Sequence, residues 1–152
     1  MKPTTTYLLT LTLGCHVLAC STLKPLGQAQ SPLVGDYHYV SYDKKGDKVV
    51  EGTLSITSVE LKRIKADEVT EIKGKWQLNK VGSQERIGAQ EGSGNLIGSL
   101  SKGELYLDLN PNISDANVIL QGRIDGRRYQ GRWRFRGYAG TINEGMFEAT
   151  RK

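Results

Sequence analysis

The stretch Val118-Ile-Leu-Gln-Gly-Arg-Ile-Asp-Gly-Arg-Arg-Tyr-Gln-Gly-Arg-Trp-Arg-Phe-Arg136 decides the fold of this chain. Val118, Leu120, Gly122 and Ile124 take one parity, and Ile119, Gln121 and Arg123 the other. After Asp125-Gly126 the alternation resumes, with Tyr129, Gly131, Trp133 and Phe135 set against Gln130, Arg132 and Arg134. Residues two apart share one face of a strand, so each run buries one face and wets the other. Asp-Gly between them is turn chemistry. The stretch therefore reads as two antiparallel strands with aromatics inward and arginines outward.

The same grammar runs outward in both directions. Glycine, any residue, then a large apolar one recurs at Gly35/Tyr37, Gly52/Leu54, Gly74/Trp76, Gly94/Leu96, Gly98/Leu100, Gly103/Leu105, Gly122/Ile124, Gly131/Trp133 and Gly145/Phe147. Each glycine would sit on the core side with its bulky partner, where a missing side chain lets a strand bend and a large neighbour fill the space. Turn signals at Lys45-Gly46-Asp47, Lys80 to Ser83, Ser101-Lys102-Gly103, Asn110 to Asn117 and Gly137 to Asn143 separate the runs. The expected fold is all-β: one antiparallel up-and-down meander of seven or eight strands over residues 34–152, closing into a small barrel. Val59 to Thr70 reads either as more strand or as a short helix with Leu61 and Ile64 inward. Such a meander with Gly-x-Trp near its strand starts resembles the calycin-type barrels, the lipocalins, avidins and their bacterial relatives. The resemblance implies architecture and carries no ligand residues across, because fold does not imply function.

The N-terminal side gives an address. Lys2 precedes an apolar run from Tyr7 to Ala19, too short for the roughly 20 residues that span a bilayer. Val17-Leu18-Ala19-Cys20 resembles a bacterial lipobox, which implies a signal peptide over 1–19 and an acylated Cys20. Residues 20–33 then form a flexible tether, with an r.m.s. span of about 20 Å. Gly27-Gln28-Ala29 offers a second, ordinary cleavage site that would release a soluble secreted or periplasmic protein. Ser21 after the cysteine is not an inner-membrane retention signal, so an anchored form in a two-membrane envelope belongs to the outer membrane. The chain has two cysteines, Cys15 and Cys20, and both precede the domain. No disulfide framework or thiolate ligand set is expected.

Two candidate surfaces emerge. Trp76, Tyr129, Trp133 and Phe147 would wall an apolar cup, if the barrel interior is partly open rather than filled by side chains. Arg132, Arg134 and Arg136 would line up outward, about 6.6–6.8 Å apart along the strand. Six arginines between Arg123 and Arg136 face one carboxylate, Asp125, so this stretch matches the chain's whole formal net charge of +5. Such a ladder repels itself unless it meets carboxylates or an anionic partner; Glu148, on the next strand, is the expected internal one.

The other signals point to structure. Asn110, Asn112, Asp115 and Asn117 hold one carboxylate among them, fewer than a calcium site gathers, and read as turn formers. Gly92-Ser-Gly94 and Gly98 miss the dinucleotide spacing by one residue, and Ala89 to Gly98 reads as a glycine-rich hairpin. His38, the one histidine after processing, cannot alone build a metal site or triad and reads as a half-buried strand residue. The chain is therefore expected to be a non-enzymatic, exported, lipid-anchored binding protein without cofactor or metal. A small apolar ligand is the first expected partner, an anionic envelope component at the arginine wall the second; export argues against nucleic acid.

Overall fold

The computed structural model describes residues 31–152 except 65, 66, 84 and 114. Its strands are β1 (Gly35–Tyr42), β2 (Lys48–Ile64), β3 (Asp67–Lys80), β4 (Gly92–Ser101), β5 (Glu104–Asp108), β6 (Asn117–Asp125), β7 (Arg128–Gly137) and β8 (Gly140–Arg151). Each pairs antiparallel with the next, and β8 returns to β1 to close the barrel. The seam runs from Tyr37 opposite Arg151 to Tyr42 opposite Met146. This is the anticipated meander, and it is compatible with a calycin-like architecture. Cys20 and residues 1–19, the segment expected to be a signal peptide, lie outside the described residues.

The register explains the glycine grammar. Trp133 lies opposite Gly145, Trp76 opposite Gly94, Leu78 opposite Gly52, Leu107 opposite Gly98 and Phe147 opposite Gly131. A Cβ on Gly145 would drive into the Tyr42 carbonyl oxygen and press on the Trp133 indole nitrogen. Gly122 and Gly131 face each other across β6 and β7, and a Cβ on either would strike a carbonyl of the facing strand. Gly103 departs from the pattern: it sits in the β4–β5 turn at φ +80°, outside both strands.

One core fills the barrel. Trp133, Tyr37, Tyr39, Tyr129 and a ring of leucines are fully buried, while Ile124 and Phe135 pack on it half-buried. Its polar atoms are bonded, as buried polar groups must be. The Trp76 indole donates to the Leu109 carbonyl at 2.7 Å and the Trp133 indole to the Tyr42 carbonyl at 2.8 Å. The Tyr129 hydroxyl donates to the Leu120 carbonyl at 3.0 Å. Phe147 stacks on Tyr39 at 5.8 Å and meets Tyr129 edge-on at 4.7 Å.

Both ends are covered. At one, the connection from Val81 to Glu91 folds inward, burying Ile87 and Gln90. The Gln90 Oε1 accepts from the Tyr39 hydroxyl at 2.8 Å and from Ser41 at 3.3 Å, while its amide donates to the Ile87 carbonyl at 2.9 Å. At the other, Leu33 and Val34 pack on the core. There the Arg151 guanidinium donates to the Pro32 and Val34 carbonyls, each at 2.7 Å.

Of the two readings of Val59 to Thr70, strand holds and the short helix does not: the segment is strand wherever it is described, bulged near Thr57 and running past the barrel as a two-stranded arm. Leu61 is 67% exposed there, because β1 pairing ends at Gly35 opposite Ile56 and leaves no wall for it to face. Gly92 to Gly98 lies in strand β4, the second strand of the antiparallel β3–β4 hairpin. His38 takes the outward parity of β1 and is exposed.

Two outcomes test this core. Gly145→Ala should cost about 2 kcal/mol in urea unfolding, since backbone and indole must both yield to the added methyl. Burial pushes the Tyr39 and Tyr129 hydroxyls well above their ordinary values, and Tyr37 upward against the nearby Arg151 charge. Above about pH 10 the unfolded chain loses tyrosine protons that the folded chain keeps, so stability falls as pH rises. The melting temperature should stay level to about pH 9 and drop beyond about pH 10, with tyrosinate absorbance of the buried rings appearing only on unfolding.

Candidate interaction surface

The two parities of β6, β7 and β8 divide the expected site residues cleanly. Trp76, Tyr129, Trp133 and Phe147 point inward and are 6%, 1%, 0% and 2% exposed. They belong to the packed interior, with Gln90 and Ile87 over one end and Leu33 and Val34 over the other. Arg132, Arg134 and Arg136 point outward; Arg132 and Arg136 are exposed and Arg134 is half-buried.

Pairing sets what lies beside each arginine. One cross-strand row holds Tyr106, Gln121, Arg132 and Met146, and the next holds Asp108, Ile119, Arg134 and Glu144. The nearby carboxylates are engaged elsewhere. Glu144 lies 3.1 Å from Lys44, whose hydrogen bond and charge, helped by Arg132 and Arg134, hold its carboxyl below the ordinary value. Glu148 pairs with Arg128 at 3.9 Å rather than with the wall; the register sets it opposite Gln130, with Arg128 and Arg132 on its two diagonals. Arg134 donates to Gln121 Oε1 at 3.1 Å, and the Gln121 amide donates to Glu104 at 3.1 Å. Arg132 and Arg136 make no hydrogen bond and no ion pair within 4.0 Å among the described residues.

Beside this wall the barrel carries a shallow outer groove of about 620 Å³. Gly122 and Gly131 contribute only backbone to it, with Arg123, Arg132, Arg134, Gln121 and Gln130 around them and the Glu104 and Glu148 carboxylates also in the lining. Met146, 52% exposed, adds an apolar edge. Guanidinium groups grip carboxylates, phosphates or sulfates through paired N–H donors, and the amides can bond a neutral backbone beside them. The alternation marks the arginines in the sequence, but Gln121, Gln130, Tyr42 and Met146 join them only through register and closure.

The remaining polar features serve the fold. Asp108 accepts from the Asn110 backbone at 2.8 Å and the Asn117 amide at 2.7 Å, and Asn110 donates to the Ala116 carbonyl. Those side chains close the β5–β6 loop on itself, as turn chemistry requires. Among the described residues no group of three or more histidine, aspartate or glutamate side chains is placed to hold a metal ion. Comparison with protein-family models, curated proteins and solved structures finds no match for this chain.

Because Arg132 and Arg136 bond nothing within the barrel, replacing either by glutamine should leave unfolding free energy within about 0.5 kcal/mol. Arg151→Ala, which strands two carbonyls, should cost about 1–2 kcal/mol in the same urea measurement.

Proposed function

We propose that this protein is an exported, lipid-anchored, non-enzymatic interaction protein of the cell envelope. Cys20 is its acylation site and the outer face of β6–β8 its working surface. Arg132, Arg134 and Arg136 hold an anionic envelope component, either a surface polymer or an acidic protein. The observation that carries this reading is that Arg132 and Arg136 make no ion pair and no hydrogen bond among the described residues. Exposed like charges spaced one side chain apart repel one another, and an anionic ligand relieves that repulsion. A small β-barrel is an architecture consistent with binding. The alternative use of that architecture, an apolar ligand enclosed by Trp76, Tyr129, Trp133 and Phe147, has less support. Those side chains spend their surface on one another and their polar atoms on backbone carbonyls.

The test combines address and surface. Metabolic fatty-acid labelling should mark the parent protein and not Cys20→Ala; an unlabelled parent removes the anchor from the proposal. On immobilised polyglutamate or dextran sulfate, the triple variant R132Q/R134Q/R136Q should elute at clearly lower salt than the parent, with the far smaller shift of K102Q/R127Q as reference. Equal elution of parent and triple variant would remove the wall from the proposal.

A further inference from the structure

The outward residues of β5, β6 and β7 enclose a second surface pocket, of about 380 Å³, which shares no lining residue with the groove. Leu105 and Leu107 are buried, so Tyr106 and Asp108 take the outward parity of β5 and line it. Ile119 comes from β6 and Arg136 from β7, while Tyr138, 99% exposed in the β7–β8 turn, adds a second ring. Ile119 faces outward yet is only 5% exposed, covered by its neighbours' side chains, and gives the pocket an apolar floor. Asp108 is held by two N–H donors, one on each oxygen: the Asn110 backbone at 2.8 Å and the Asn117 side chain at 2.7 Å. A carboxylate has about four acceptor positions, so the fixed Asp108 can still accept from a ligand. Arg136 and the Tyr106 hydroxyl make no hydrogen bond or ion pair among the described residues. Burial, then the Asp108 charge, raise the Tyr106 hydroxyl above its ordinary value, and Arg136 and Arg134 oppose the rise. The ring therefore stands in the field of all three charges.

We infer that the Tyr106–Asp108–Arg136 pocket is a subsite for one acidic sugar residue of a polysaccharide, so that the anionic partner is a glycan rather than an acidic protein. The inference rests on the proposed arginine wall, of which Arg136 is the last member, and narrows what that wall holds. The mixed lining makes the choice. A plain polyanion needs only the guanidinium, and Asp108 beside it would repel such a ligand. An acidic sugar uses every part. Its hydroxyls donate to Asp108, and its carboxylate or sulfate accepts paired N–H donors from Arg136. Its apolar C–H face lies against a tyrosine ring, a contact that a carboxylate side chain of a protein does not offer. The pocket volume falls at the small end of the range of about 300–1,000 Å³ that small-ligand sites occupy.

The test compares two polymers that carry one carboxylate per unit, polygalacturonate and polyglutamate. Dissociation constants of the detergent-solubilised full-length chain are measured on surfaces of each at the same salt. The parent should bind polygalacturonate at least about fivefold more tightly than polyglutamate. Tyr106→Ala and Tyr138→Ala should each weaken polygalacturonate binding roughly two- to tenfold and leave polyglutamate binding unchanged. Arg136→Gln should weaken binding to both polymers. Tyr138 is 99% exposed, so a loss on its removal is not a folding effect, and it stands as the decisive variant if Tyr106→Ala unfolds. Equal affinity of the parent for the two polymers would overturn the inference and leave the arginine wall standing. So would a Tyr138→Ala protein that binds polygalacturonate as the parent does, or that loses both polymers alike. A parent that binds neither polymer removes the wall and the subsite together.

Discussion

A narrow barrel brings each strand so close to its neighbour that some inward positions have no room for even a methyl group. That steric limit governs the rest of the molecule. At Gly122, Gly131 and Gly145 the facing backbone carbonyl occupies the space where a Cβ would stand. Large side chains opposite, Phe147 and Trp133, then fill the volume the glycines leave. Closure, packing density and the placement of the aromatics are one solution to this limit, and dense interiors of this kind tolerate little change in volume. The outer groove is its by-product, since two facing glycines thin the wall where Arg123, Arg132 and Gln121 stand around it.

This is why the fold was legible in the residues themselves. Period-two alternation assigned Trp133 inward and Arg132 outward before any pairing was known, and both assignments hold. The recurring glycines signalled curvature because bending and closure demand them. Features set by neighbours remote in sequence stayed hidden. Leu61 has the parity of a core residue, yet lies where no other strand faces it. Gln90 reads as loop and is fully buried, because Tyr39 and Ser41 on β1 supply hydroxyls to its carbonyl. Glu148 is one strand from the arginine wall, opposite Gln130, and of the two arginines on its diagonals it pairs with Arg128 rather than Arg132. Val40 and Ile119 are buried at outward positions, which alternation alone assigns to solvent.

The charges follow a different logic from the core. Around the barrel wall, carboxylates and cations are mixed, and several are bonded: Lys44 with Glu144, Lys48 with Glu51, and Lys62 with Glu71. These exposed pairs contribute little to stability, about 0–1 kcal/mol each. Arg132 and Arg136 form no ion pair among the described residues, although the Arg132 charge helps hold the Glu144 carboxyl below its ordinary value.

The Arg151 clasp and the seam between β1 and β8 together determine how the barrel bears force. A pull on the chain ahead of Pro32 runs along β1, whose hydrogen bonds to β2 and β8 lie across the direction of the load. Those bonds are strained together in shear rather than peeled apart singly. Before the seam feels the load, the guanidinium holding the Pro32 and Val34 carbonyls must let go. For a domain held by its N-terminal side, the strand that receives the tension is thus one supported on both flanks, and the residue that guards it comes from the far end of the sequence.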